Sequence, residues 1–167
     1  MTKKNYLIIT LLSLLTLIFL SSCGAIVKSK ADKFLTEENG AIPPDFGKEE
    51  TTLLFITHRR SYNKYLKTNV KKIYNSKYEF INEDQLKSES KYNNINKYRY
   101  LFNYDEKSYT YYSPKGGSKT GYVKKFYVLD RKSDKRFYSK LTSGLWSKLQ
   151  KVYLKKLNEK IIKEQGS

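Results

Sequence analysis

Thr51-Thr52-Leu53-Leu54-Phe55-Ile56-Thr57 is a continuous apolar run rich in strand formers, the pattern of a strand covered on both faces. Directly after it, Tyr62, Tyr65, Leu66, Val70 and Ile73 fall on one face at helical spacing, while Lys64, Lys67, Lys71 and Lys72 lie largely elsewhere. Ser61 is placed to cap this helix. Asn75-Ser76 ends it, and Lys77 to Ile81 resumes as strand. The result is a strand-helix-strand unit, which crosses over right-handedly if the two strands are parallel.

Toward the C-terminus, Asn82 to Lys97 is polar, with a helical turn at Asp84 to Ser88. Tyr98, Tyr100, Phe102 and Tyr104 then alternate with Arg99, Leu101 and Asn103, a period of two that marks a strand with an aromatic face. Aromatics resume at Tyr109 to Tyr112, Ser113 to Gly121 breaks the pattern with Pro114, Gly116 and Gly117, and Tyr122 to Leu129 reads again as strand. This is a hairpin signal. A polar turn at Asp130 to Lys135 leads to a short strand around Phe137 to Leu141. The last element is a helix from about Leu145 to Lys163 with Ser143 as its cap; Leu145, Leu149, Val152, Tyr153, Leu157 and Ile161 share a face, and Lys148, Lys151, Lys155 and Lys163 form a basic side. The expected fold is α+β, a two-layer sandwich: a mixed sheet of the strand-helix-strand unit plus a three-stranded antiparallel meander, with both main helices on one face.

Toward the N-terminus, Gly24 to Glu50 has little apolar periodicity and contains Pro43-Pro44, Gly40 and Gly47, so residues 23–50 are expected to form a flexible tether ahead of a single domain at 51–167. Phe34-Leu35 and Ile42 stand out, and a short docking helix near Phe34 is an alternative. Asp45-Phe46-Gly47 has the letters of the kinase magnesium motif without its companion motifs, and is read as a turn.

Lys3 and Lys4 precede a nearly unbroken apolar run from Tyr6 to Leu20, the layout of a secretory signal and short for a spanning helix, which needs roughly 20 residues. Leu20-Ser21-Ser22-Cys23 follows and resembles the bacterial lipobox. The resemblance covers the first 24 residues. It implies a cleaved signal peptide at 1–22, a diacylglycerol thioether on Cys23, and membrane anchoring in the cell envelope. Gly24 in place of the aspartate that retains lipoproteins in the inner membrane favours the outer membrane, facing the periplasm, over the inner membrane, while in a single-membrane bacterium the same signal places the chain on the cell surface. The body has the general character of small Tyr- and Lys-rich envelope lipoproteins, a likeness that transfers no function.

Lys and Arg total 33 against 16 Asp and Glu among 167 residues. Such a surface attracts anionic partners, although Lys, Asn, Tyr and Ile all have AT-rich codons and genome composition is a competing source of the charge. Cys23 is the sole cysteine, so no internal disulfide forms, and acylation removes the only thiol from nucleophilic or metal chemistry. No metal site and no cofactor are nominated.

Two candidate surfaces remain. His58, Arg59 and Arg60 follow the first strand, where α/β proteins often place ligands, and could receive an anion beside the next helix's N-terminus; the competing reading is a polar loop. Tyr98, Tyr100, Tyr111 and Tyr112 with Lys124 and Lys125 could form an aromatic and basic binding surface, against the ordinary role of one sheet face as core. The expected function is a noncatalytic binding or accessory module for an envelope protein or anionic glycan. Alternatives are an envelope-polymer hydrolase using His58, and a charge-driven binder of anionic lipid or, less favoured, nucleic acid.

Overall fold

The computed structural model describes residues 29–166; the expected signal peptide at 1–22 and the expected acylation site Cys23 lie outside them. Five strands form one sheet in the order β2-β1-β3-β4-β5. β1 (Leu53–Ile56) is parallel to both β2 (Tyr78–Ile81) and β3 (Tyr100–Tyr112), and β3, β4 (Ser118–Asp130) and β5 (Lys135–Tyr138) make the antiparallel meander. Every residue of β1 is buried, because it lies inside the sheet with apolar layers on both sides. α2 (Arg60–Ile73) and α4 (Trp146–Gln165) pack into the same core against Phe55, Tyr100, Phe102, Phe126 and Val128. The chain is thus an α+β protein with a mixed sheet and two main helices on one face.

The helices run side by side in the same direction. Trp146 at the start of α4 meets Tyr62 and Tyr65 in the first turns of α2, and the Asn75 amide just past α2 donates to Asn158 Oδ1 at 3.1 Å. Ser61 does not cap α2: the N-cap is Arg59 and lacks a side-chain bond, while Asn63 folds back onto the main chain of His58. Ser143 Oγ accepts the Leu145 amide just ahead of α4. The opposite sheet face is covered by α3 (Glu83–Ser88), which Asn82 and Gln85 close with a reciprocal capping box, and by a 3-10 turn at Ser90–Asn93. Beneath them Leu54, Ile56, Ile81, Tyr92, Tyr98 and Leu101 form a second, smaller core.

Residues 29–50 differ from the expected tether. Residues 29–34 form a helix, α1, and Ala31, Leu35, Ala41, Ile42 and Phe46 are all buried in the main core. Tyr153 donates its hydroxyl to the Ala41 carbonyl, and Phe46 packs on Tyr100 at 4.9 Å between ring centroids. The packed body therefore begins near Ala31 rather than at Thr51. Composition hid this because few apolar residues, interrupted by Gly40 and Pro43-Pro44, suffice for a segment that rests on an existing core. Asp45-Phe46-Gly47 is a turn that fastens the segment: Asp45 Oδ2 accepts Arg99 Nη2 at 3.1 Å, and Gly47 has φ +91° where a Cβ would lie 2.9 Å from the Ile161 Cα. No helix among the described residues is long and apolar enough to cross a membrane.

Candidate functional site

β3 and β4 stay paired over all 13 residues each, from Tyr100↔Asp130 to Tyr112↔Ser118. Their neighbours are far shorter. β1 pairs with β3 only at Leu101 and Phe102, and β5 reaches β4 only from Tyr127 to Asp130, with one further bridge between Lys124 and Ser143. The outer half of the hairpin thus projects as a two-stranded ribbon: Tyr100–Asn103 are buried and every β3 residue beyond Asp105 is exposed. Ser113 to Gly117 closes the tip, where Gly116 and Gly117 adopt φ of 88° and 80° that other residues rarely reach.

Strand parity sorts the ribbon's side chains. Lys107, Tyr109 and Tyr111 share one face with Val123, Gly121 and Lys119 opposite them. The Tyr109 ring lies across Gly121, where a Cβ would stand 2.5 Å from the ring's Cζ, and it meets the Tyr111 ring at 5.8 Å with a 33° tilt. Two tyrosines thereby present a nearly continuous flat surface while remaining 48% and 44% exposed. Tyr112 and Tyr122 stand on the other face, 84% and 64% exposed. From Lys107 to Val123 the ribbon carries Lys107, Lys115 and Lys119 and no acidic residue. Exposed π-faces beside unopposed ammonium groups suit a planar or ring-bearing anionic ligand.

The residues singled out in the sequence as one aromatic and basic surface divide in the structure. Tyr111 and Tyr112 are on the ribbon, and Lys125 flanks its base with Nζ 4.5 Å from the Tyr138 ring. Tyr98 and Tyr100 are buried and are not surface groups. Tyr98 donates to Glu79 Oε1 at 2.9 Å beneath the 3-10 turn, and Tyr100 packs under the returning N-terminal segment. Burial pushes the Glu79 carboxyl up, but the Tyr98 and Tyr92 hydroxyls and the Lys91 ammonium outweigh it and hold it below the usual range. Lys124 is also enclosed, with 3% of its side chain exposed; Nζ bonds Glu106 Oε1 at 2.9 Å and sits over the Tyr104 and Trp146 rings. Parity told which residues share a face, but not which parts of that face another segment covers. Lys119, read as part of the turn, belongs to the ribbon as the cross-strand partner of Tyr111; counting back from Gly116-Gly117 gives that register.

His58 and Arg59 converge with the ribbon base. His58 Nε2 lies 2.6 Å from Asn103 Oδ1, an oxygen that also accepts the Tyr104 amide at 2.8 Å. An acceptor fixed in this way requires the proton on Nε2, so that nitrogen is unavailable as a general base. Its nearest ring neighbours are Tyr62 and Tyr104. Arg59 faces Glu106 at 3.7 Å, and the Lys124 hydrogen bond holds the Glu106 carboxyl below its ordinary range. The arginine charge is thus answered by a carboxylate rather than left for an anion, while Arg60 is exposed in the first turn of α2. Among the described residues, no group of three or more His, Cys, Asp or Glu side chains is placed to hold a metal ion. No family model matches the chain, and neither a curated protein nor a solved structure matches it.

Proposed function

We propose that this chain is a lipid-anchored protein of the bacterial cell envelope that binds an anionic glycan through the β3–β4 ribbon. The observation that carries the reading is the Tyr109–Tyr111 platform, flanked by Lys107 and Lys119 on a ribbon segment free of acidic residues. Aromatic faces stack on sugar rings and lysines answer carboxylate or phosphate substituents. The lipobox-like Leu20-Ser21-Ser22-Cys23 supports the anchor, and Gly24 favours an outer-membrane position facing the periplasm. The binding reading is preferred to hydrolysis because His58 Nε2 is committed to Asn103, and among the described residues no carboxylate is hydrogen-bonded to the ring to orient it.

A second reading, an envelope protein as partner, is favoured by one specific feature: the outer half of β3 and residues 118–123 of β4 have ladder edges that no described strand pairs, the geometry to which an extended segment of another protein adds. A glycan array carrying uronate, phosphate and neutral sugars, probed with the full chain and with Tyr109→Ser/Tyr111→Ser, separates the two. Retention of anionic glycans that weakens about tenfold or more in the double variant, ~1.4 kcal/mol, is the expected result. Equal retention by both chains, or none by either, contradicts glycan binding by the ribbon.

A further inference from the structure

Between α2 and α4, on the side of the helix layer away from the sheet, lies an open groove of about 640 Å³ whose walls include Lys72, Lys148, Lys151, Lys155 and Asp32. Two observations bear on its use. The first is charge. Lys148, Lys151 and Lys155 form one helical stripe on α4, all exposed, and Lys72 faces them from α2. Among the described residues none of these four makes an ion pair, whereas Lys156 beside them is held by Asp32 at 2.7 Å and Glu159 at 2.8 Å. Ile162 continues the stripe two turns beyond Lys155 and is 64% exposed. Asn158 and Glu159 line the groove between Lys155 and Ile162, but Glu159 is answered by Lys156, so the four lysines leave the groove with an excess of positive charge that attracts anionic head groups.

The second observation is where the chain enters. α1 packs on the C-terminal half of α4 through Asp32 with Lys156, and the turn after α1 does so through Glu37 with Lys160; Asp32 itself lines the groove. Ser29 lies one turn before Asp32, and Cys23 lies six residue steps before Ser29. Six residues reach at most about 20 Å. Acyl chains on Cys23 therefore hold the groove's own wall within a short distance of the head groups, not some remote point of the body.

We infer that the lysine-walled groove between α2 and α4 is the surface on which the body rests against anionic phospholipid head groups, so that the anchored protein has one preferred orientation. This rests on the lipid-anchor reading above. It also fits the placement of the ribbon, which departs beside Trp146 at the other end of α4; Lys160 is fourteen residues along the helix, about 21 Å of rise. Anchor and recognition element then occupy opposite ends of the helix layer.

The test uses the full chain purified from membranes and reconstituted into vesicles of phosphatidylcholine alone, or of phosphatidylcholine with phosphatidylglycerol at roughly 2:1. Amine acetylation is read lysine by lysine by mass spectrometry. Labelling at Lys72, Lys148, Lys151 and Lys155 is expected to slow about tenfold on the anionic vesicles and to recover at high salt, where screening acts over only about 3 Å, while Lys115 and Lys119 on the ribbon stay equally reactive throughout. The Lys148→Glu/Lys151→Glu/Lys155→Glu variant is expected to lose the protection of Lys72 with unchanged thermal unfolding. Equal labelling on both kinds of vesicle, or protection spread evenly to the ribbon lysines, overturns the orientation. Intact mass of the same sample reports the anchor independently: an acylated chain with unprotected lysines rejects the groove alone, and a chain without acyl groups rejects the anchor on which the inference depends.

Discussion

Arg99 shows how single residues hold this body together. Its side chain is only 8% exposed, and the guanidinium forks onto Asp130 at 2.9 and 3.0 Å and reaches Asp45 in the N-terminal turn. Burial pushes the Asp130 carboxyl up, but Arg99 and the Lys132 amide outweigh it and hold the group below its ordinary range. A carboxyl with a depressed folded pKa stabilises the fold above its unfolded value of about 3.9, and that contribution is lost as pH falls through the folded value. Asp130→Asn is therefore expected to cost about 3 kcal/mol in denaturant unfolding at pH 7, with the gap from wild type closing as both are acidified toward pH 2; a gap independent of pH contradicts the assignment. Gly47→Ala is expected to lower stability by about 1 to 3 kcal/mol, because φ there is +91° and the added Cβ meets the Ile161 main chain. At this scale the sequence was only partly legible. The Tyr98, Tyr100 and Lys124 side chains announce aromatic and basic chemistry, but whether each faces solvent depends on what covers it: the nearby 3-10 turn and Glu79 for Tyr98, and the sequence-distant Phe46 and Trp146 for Tyr100 and Lys124.

At the scale of elements, the strand-helix-strand unit and the meander were readable because each carries its own period. Leu53–Ile56 is a solid apolar run, α2 buries Tyr62, Leu66 and Val70 at helical spacing, and Tyr100, Phe102 and Tyr104 alternate along β3. The segment from α1 to Phe46 was not, since its five buried apolar residues are sparse, are interrupted by Gly40 and Pro43-Pro44, and gain their burial from a core built by others. Leu35→Ala tests its contribution: as a fully buried residue in the main core it should cost about 2 to 5 kcal/mol, against less than about 0.5 if the segment were a tether. The ribbon was legible as a hairpin but not in its reach, because the polar residues from Asp105 to Ser108 look like an interruption between two aromatic runs. In the structure they are paired strand, with Asp105 opposite Lys125 and Glu106 opposite Lys124. Gly121→Ala follows from that register. It should displace the Tyr109 ring and weaken anionic-glycan retention toward the level of the double tyrosine variant, with melting unchanged or raised; unaltered retention would show that the flat ring arrangement is not what the ligand uses.

At the scale of the molecule, the mixed sheet places the two main helices on one side and lets β3 and β4 outrun their neighbours. That inequality of strand lengths creates the ribbon, and the same helix layer carries the unpaired lysines of the groove. The proposed head-group surface and the proposed recognition arm both depend on a chain held at a bilayer, which makes Cys23 the residue on which the functional reading turns. The most direct measurement is intact mass and N-terminal peptide mass of the native protein extracted from membranes. The account predicts a chain that starts at Cys23 and carries a diacylglycerol thioether on its sulfur. A free thiol at that position, or a chain that keeps residues 1–22, contradicts it.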